Sequence, residues 1–159
     1  MKSVIAADIE RMEQLMPVIQ ECLQAGQGVR FYPRGISMMP MLRQDIDSVW
    51  IEPIRKPLRK YDLPLYRRDN GKYVLHRIVG VGETYTCLGD NQYSPEPGIR
   101  EDQLIAVVTA FYRGEQKHAV TDPTYKLYCR IWYHSRHLRK FWRRGLGWLK
   151  RKLRHPQTK

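Results

Sequence analysis

The fold is decided by residues 63–88, which have the sequence LPLYRRDNGKYVLHRIVGVGETYTCL. Three segments in this stretch have the apolar and β-branched composition of strands, namely residues 63–67, 73–81 and 84–88. Asp69-Asn70-Gly71 favours a hairpin turn between the first two, and Gly82-Glu83 favours a tighter turn between the last two. The stretch therefore predicts consecutive β-hairpins.

The same pattern of short strand-like segments continues on both sides of this stretch. Further strands are predicted at Val29–Tyr32, Ser48–Glu52 and Leu104–Arg113, separated by Gly, Pro, Asn and Asp residues. Six or more short strands without intervening helices are typical of all-β architectures. We therefore expect a mainly β protein, with a barrel-like or folded-sheet body over residues 28–115.

An amphipathic helix is predicted before this body, within residues 1–27. Apolar residues recur at spacings of three and four over residues 3–25. Ser3 is the expected N-cap, and Gly26 and Gly28 are expected to end the helix. Pro17 lies in the middle, so the pattern allows either one kinked helix or two shorter helices.

The third region is a basic tail over residues 123–154. The chain has 159 residues with 28 Lys and Arg against 16 Asp and Glu, a formal net charge of +12. No acidic residue follows Asp122, whereas 12 of the basic residues do, so residues 1–122 are balanced in charge. Leu and aromatic residues recur at helical spacings in the tail, which predicts a basic amphipathic helix.

The composition also indicates in which cellular compartment the protein is expected. Cys22, Cys87 and Cys129 are few and widely spaced, which favours neither a disulfide framework nor a zinc site. The chain has no run of 18 apolar residues, and Asp8, Glu10 and Arg11 stand where a signal peptide would need apolar residues. The expected location is the cytoplasm.

Three short segments of the β body carry chemically useful side chains. They are Gly35-Ile36-Ser37-Met38-Met39-Pro40, Leu75-His76-Arg77-Ile78-Val79 and Gly89-Asp90-Asn91. Together they supply a hydroxyl, an imidazole and a carboxylate, which are the parts of an activated nucleophile. From composition alone, His76 could equally be a strand residue and Asp90 a turn residue.

The order G-x-S-M-x-P-x-L, H-R-I-V, G-D-N resembles the serine peptidase superfamily of signal peptidase I and the LexA-like repressors (S24/S26). The similarity covers residues 28–113, and it is greatest to signal peptidases that use His in place of Lys. It implies that Ser37 is the nucleophile, His76 the general base and Asp90 the carboxylate that orients the imidazole. Gly35, Ser37 and Met38 would then form the nucleophile loop, with Met38 packed beneath the site.

The sequence departs from this family in ways that affect the substrate. An amphipathic segment stands where signal peptidases have a membrane-spanning helix, and 27 residues are too few for a repressor's DNA-binding domain. A hydroxyl found in some members two positions before the nucleophile is replaced by Gly35. The oxyanion hole is therefore expected to consist of main-chain N–H groups, including that of Ser37.

The resemblance implies a serine endopeptidase that cleaves a peptide or protein precursor without a metal ion or organic cofactor. Substrate is expected to lie extended along an exposed strand. Two alternatives stay open: a non-catalytic or regulatory peptide-binding module of the same fold, and a LexA-like regulator associated with nucleic acid.

Three interpretations of the tail also stay open. It could dock on the β body, bind an anionic membrane surface at the inner face of the membrane, or bind nucleic acid. Nucleic-acid binding is the least favoured of the three, because the β body carries no nucleic-acid motif. The membrane interpretation assigns the contact to aromatic and basic side chains, namely Trp132, Arg139, Lys140, Trp142, Arg143, Arg144 and Trp148.

Overall fold

A computed structural model describes the main chain of residues 4–6 and 9–142, with side chains from Met12 to Trp142. The protein is mainly β, with a curled, half-barrel sheet that is largely antiparallel and with short helices toward both ends of the chain. The expected mainly β class is therefore confirmed.

The described chain contains ten strands, two α-helices, a short 3-10 helix at Glu101–Gln103 and a further helical stretch over residues 136–142. The strands are β1 (Val4–Ala6), β2 (Val29–Tyr32), β3 (Asp47–Glu52), β4 (Pro64–Arg67), β5 (Tyr73–Leu75), β6 (Arg77–Val81), β7 (Tyr85–Leu88), β8 (Glu96–Ile99), β9 (Leu104–Arg113) and β10 (Gln116–Ala119). The helices are α1 (Ile9–Gln24) and α2 (Pro123–His134).

The larger sheet is organised around β9, its longest strand. Its order is β1-β2-β3-β9-β4-β5, and β10 also pairs with β9. One side of β9 pairs with β3, while the other side pairs first with β4 and then with β10. Register shifts in the β3 and β4 pairings accompany the curl of the sheet. Strands β6, β7 and β8 form a separate antiparallel sheet.

The strand predicted over residues 73–81 is divided between these two sheets. β5 belongs to the larger sheet and β6 to the smaller one, with His76 between them. All five side chains from Leu75 to Val79 are buried, whereas a strand with one solvated face would alternate. The chain is covered on both sides here because it passes from one sheet to the other.

Apolar side chains from both helices complete the main core on the larger sheet. Met16, Ile19 and Leu23 of α1 and Tyr125 and Cys129 of α2 are buried in this cluster with residues of the sheet. A second cluster between the two sheets is built around five buried residues, Leu58, Tyr66, Ile78, Cys87 and Ile99.

The N-terminal region differs from the prediction in its first residues. Val4–Ala6 forms a strand parallel to β2 instead of the first turn of the helix. α1 is a single helix that runs through Pro17, which lies on its exposed side. It ends as expected near Gly26, which has φ +73° and whose amide donates to the Leu23 carbonyl at 3.0 Å. The proposed cap Ser3 lies outside the described residues.

Two further strands, β8 and β10, were not predicted. Their sequences, EPGI and QKHA, lack the alternation of apolar and polar residues on which strand prediction depends. They form because neighbouring strands offer main-chain hydrogen bonds. Main-chain pairing of this kind cannot be recognised from the local sequence.

The predicted tail helix is interrupted early. α2 ends at His134, Ser135 forms a turn, and residues 136–142 are again helical. The rest of the predicted helix, residues 143–154, lies outside the described residues. Over the described ranges, the helices are too short or too polar to cross a lipid bilayer.

Candidate active site

A pocket of about 550 Å³ brings together two of the three residues proposed for catalysis. Ser37 and His76 both line it, together with Asn91 from the segment that follows Asp90. Much of the remaining wall is apolar, contributed by Phe31, Met38, Leu42, Leu65, Val74 and Leu75. The pocket adjoins β5, which is the last strand in the order of the larger sheet.

The nucleophile loop is fixed from two sides by hydrogen bonds. The Ser37 carbonyl accepts from the Asn91 amide at 2.8 Å, and Asn91 Nδ2 donates to the Ile36 carbonyl at 3.1 Å. On the other side, the Gly35 amide donates to Gln44 Oε1 at 3.1 Å, and Gly35 has φ +91°, a conformation that favours glycine. The predicted Gly35, Ser37 and Met38 thus lie in one constrained turn, with Met38 buried in the main core.

The main-chain amides in this turn bear on the expected oxyanion hole. Over the described residues, the main-chain N–H groups of Ser37 and Met38 donate to no protein acceptor. The Ser37 hydroxyl has no hydrogen-bond partner there either. Free N–H groups beside a hydroxyl are what an oxyanion hole of main-chain donors requires.

His76 is held as a neutral imidazole. Its side chain is buried, with 3% of the residue exposed, and its Nδ1 lies 3.3 Å from the Tyr66 hydroxyl. Burial lowers the pKa of His76 to about 4, with a further contribution from the positive charge of Arg68, against the opposing effects of Glu96 and Asp90. At neutral pH the ring therefore carries no charge, and one of its nitrogens keeps its lone pair.

The hydrogen bond expected between Ser37 and His76 is not formed in this structure. Among the described residues, the only hydrogen-bond contact of the imidazole is that of Nδ1 with Tyr66. The two residues share the pocket without a direct bond, and apo active sites often show such loose geometry.

Asp90 does not orient the imidazole as expected, because its carboxylate binds Arg77. Arg77 Nε donates to Asp90 Oδ1 and Nη2 donates to Oδ2, both at 2.8 Å. Successive side chains of an extended chain point to opposite sides, so Arg77 and His76 face different surroundings. Asp90 lies on the Arg77 side.

Helix α2 closes over this ion pair. Arg77 Nη1 donates to the Tyr125 hydroxyl at 2.8 Å and to Cys129 Sγ at 3.0 Å. The Tyr128 hydroxyl donates to Asp90 Oδ2 at 3.3 Å, and Trp132 Nε1 donates to the Asp90 carbonyl at 2.7 Å. The first part of the tail is therefore docked on the body.

The carboxylate nearest to the His76 ring belongs to Glu96 of β8, a residue that the sequence did not single out. Glu96 Oε2 lies 3.8 Å from His76 Nδ1 and accepts a 2.8 Å hydrogen bond from the Tyr66 hydroxyl. Arg68 Nε and Nη2 each donate to Glu96 at 2.6 Å. Burial opposes the charge of Glu96, but Arg68 and Tyr66 outweigh it and hold the pKa of this carboxyl below its usual value.

The residues predicted to contact a membrane are found in different surroundings. Trp132 and Arg139 pack together against the Asp90 loop, with the Arg139 guanidinium 3.5 Å from the centre of the indole ring. Lys140 and Trp142 are exposed. Arg143, Arg144 and Trp148 lie outside the described residues.

No group of three or more His, Cys, Asp or Glu side chains that could hold a metal ion occurs within the part of the chain that the structure describes. No protein-family model matches the chain, and no curated protein matches it.

Proposed function

We propose that the protein is a serine endopeptidase similar to the His-type signal peptidases, with Ser37 as nucleophile and His76 as general base. The observation that carries the proposal is that Ser37 and a neutral His76 line one largely apolar pocket. The amides of Ser37 and Met38 add support, since they donate to no acceptor among the residues that the structure describes and could stabilise an oxyanion.

The reaction follows from these groups. Ser37 Oγ attacks the scissile carbonyl carbon while its proton passes to the free nitrogen of His76, and the carbonyl electron pair moves onto oxygen. The imidazolium then gives that proton to the leaving amine as the C–N bond breaks, which leaves an acyl-enzyme. Water, deprotonated by His76, hydrolyses the ester and restores the Ser37 hydroxyl.

The proposed substrate is an extended peptide segment with an apolar side chain near the cleavage site. β5 ends the strand order of the larger sheet and contributes Tyr73, Val74 and Leu75 to the pocket wall. A peptide that adds to this edge would gain main-chain hydrogen bonds and would place alternate side chains toward the pocket. Burial in a wall of this kind favours aliphatic side chains.

A fluorophosphonate probe tests the nucleophile without knowledge of the substrate. We expect covalent labelling that maps to Ser37 by mass spectrometry and disappears in Ser37→Ala. Ser94→Ala, which removes an exposed hydroxyl beyond the Asp90 loop, is the matched control and should label like the unmodified protein. A folded protein that labels at no serine would support the alternative of a non-catalytic peptide-binding module.

A second function, attachment to an anionic membrane surface, is favoured by the outward face of the C-terminal helical segments. Five large apolar side chains of these segments are exposed, namely Leu127, Ile131, Leu138, Phe141 and Trp142. Basic residues flank them, and no acidic residue follows Asp122. A basic helix with Leu, Phe and Trp on one face suits the interface of an anionic bilayer.

Vesicle sedimentation tests this attachment on the full chain. The triple variant Leu138→Ser, Phe141→Ser, Trp142→Ser should bind vesicles containing one third phosphatidylserine at least about tenfold more weakly, because it loses the apolar contact. The control is Val18→Ser, Ile46→Ser, Val81→Ser, which removes three exposed apolar side chains elsewhere. Equal vesicle binding by both variants, or stronger binding to single-stranded DNA than to vesicles, would contradict the membrane assignment.

A further inference from the structure

The surroundings of His76 contain a connected set of polar groups that the sequence did not predict. The Tyr66 hydroxyl lies between the imidazole and Glu96, 3.3 Å from His76 Nδ1 and 2.8 Å from Glu96 Oε2. Tyr66 itself is fully buried and the imidazole nearly so, whereas 27% of the Glu96 side chain is exposed. Arg68 binds both oxygens of Glu96, since its Nε donates to Oε1 and its Nη2 donates to Oε2.

The direction of these hydrogen bonds fixes the tautomer of the ring. An ionised Glu96 can only accept, so the Tyr66 hydroxyl uses its single proton on Glu96. Tyr66 oxygen is then an acceptor toward His76, and Nδ1 must carry the ring proton in order to donate to it. The neutral ring consequently keeps its lone pair on Nε2, the nitrogen left for proton transfer.

The charge of Glu96 also suits the protonated ring. When the imidazole takes up a proton, a carboxylate 3.8 Å from Nδ1 stabilises the positive charge that forms. Arg68 opposes this, since its positive charge disfavours the imidazolium. The charged groups that act on the ring are therefore Glu96, Arg68 and, from the other side of β6, Asp90.

We propose that Glu96, acting directly and through Tyr66, is the carboxylate that positions and stabilises His76, and that Asp90 is instead a structural partner of Arg77. This inference rests on the proposed function, because it assigns the third member of the same catalytic group. Glu96 and Tyr66 are positioning residues: they act on the imidazole and not on the substrate.

Nitrogen NMR of the His76 ring tests the assignment independently of activity. The spectrum of the unmodified protein at pH 7 should show the Nδ1–H tautomer of His76, identified by its loss in His76→Gln. Tyr66→Phe should shift the population toward the Nε2–H tautomer, since Nδ1 loses its acceptor. An unchanged tautomer in Tyr66→Phe would overturn the role of Tyr66.

The contribution of Glu96 is best measured without Arg68. The pKa of His76 should rise in Arg68→Met, and adding Glu96→Gln should lower it again by about one unit or more, as expected for loss of a nearby opposite charge. Glu83→Gln in the Arg68→Met background removes an exposed carboxylate and serves as control. An identical His76 pKa in Arg68→Met with and without Glu96→Gln would overturn the proposal.

Reaction rates separate this inference from the proposed function. If Ser37 is labelled, Glu96→Gln should slow labelling at pH 7 at least about tenfold, within the usual contribution of acid–base catalysis. A Glu96→Gln variant that reacts at the unmodified rate would contradict the proposal. If no serine is labelled at all, the peptidase assignment fails, whereas the tautomer and pKa measurements still decide whether Glu96 and Tyr66 control His76.

Discussion

Arg77 and Asp90 form a bidentate ion pair in the interior of the protein, with both hydrogen bonds at 2.8 Å. Neither side chain is more than 4% exposed. Asp90 also receives hydrogen bonds from Tyr128 and Trp132 of α2, while the next residue, Asn91, binds the main chain of Ser37. One buried pair thus connects the C-terminal helix to the nucleophile loop.

We expect Asp90→Asn to destabilise the fold by about 3–5 kcal/mol, because it leaves the buried Arg77 guanidinium without its counter-charge. Urea unfolding measures this free energy. Asp69→Asn is the control, since the Asp69–Arg100 pair is exposed and should contribute under about 1 kcal/mol. Equal losses in the two variants would show that the Arg77–Asp90 pair has no special structural role.

A methyl group at Gly89 should disturb the nucleophile loop. A Cβ at this position would lie 2.7 Å from the Ser37 carbonyl oxygen and 3.0 Å from Gln92 Oε1. Gly89→Ala should therefore displace Ser37 and lower its labelling rate by about tenfold or more, since small misplacements of reacting groups are costly.

The control for this substitution is Gly82→Ala, where the nearest atom to a new Cβ is 3.8 Å away. It should leave the labelling rate unchanged. If Gly89→Ala reacts as fast as Gly82→Ala, the contact between the Asp90 loop and Ser37 does not position the nucleophile.

The burial of His76 predicts a loss of stability in mild acid. The folded pKa of about 4 lies below the ordinary value of 6.5, so the unfolded chain binds more protons between these values. The stabilisation is complete above about pH 6.5 and is lost as the pH falls toward 4, by up to roughly 3 kcal/mol from this group.

Denaturant unfolding at several pH values between 4 and 7 measures this effect. His76→Gln should show a smaller decrease in unfolding free energy over that range, because it has no group to protonate at this position. The lowered pKa of Glu96 also makes the unfolding free energy decrease as the pH falls, and it does so in the unmodified protein and in His76→Gln alike. An identical pH dependence in His76→Gln would refute the low pKa of His76.

Replacement of His76 by Lys examines the comparison with the Lys-type signal peptidases. A buried lysine must lose its proton to act as a base, and Arg68 nearby would favour the neutral form. We expect little cleavage by His76→Lys at neutral pH and partial recovery toward pH 10, while His76→Ala stays inactive throughout. Full activity of His76→Ala between pH 6 and 10 would mean that another residue is the base.

Most strands of the body, and the two segments that carry Ser37 and His76, can be predicted from the amino-acid sequence. The β-branched runs of β2, β3, β6 and β9 are local features, and local composition is enough to place them. The nucleophile turn was also predictable, because Gly35 permits a positive φ before Ser37 and Pro40 restricts the main chain after it.

Which carboxylate lies beside Arg77 and which beside His76 depends on the three-dimensional packing of the strands. Asp90 follows β7 and Glu96 is the first residue of β8. The resemblance to the serine peptidases favoured Asp90, because Asp90 stands in the G-D-N segment. Consecutive side chains of an extended chain point to opposite sides, and both sides are covered here because the chain passes from one sheet to the other. Arg77 therefore binds Asp90, while the imidazole faces Glu96. Such pairings depend on packing between strands that are distant in the sequence. They cannot be predicted from the residues next to Asp90 or Glu96 along the chain.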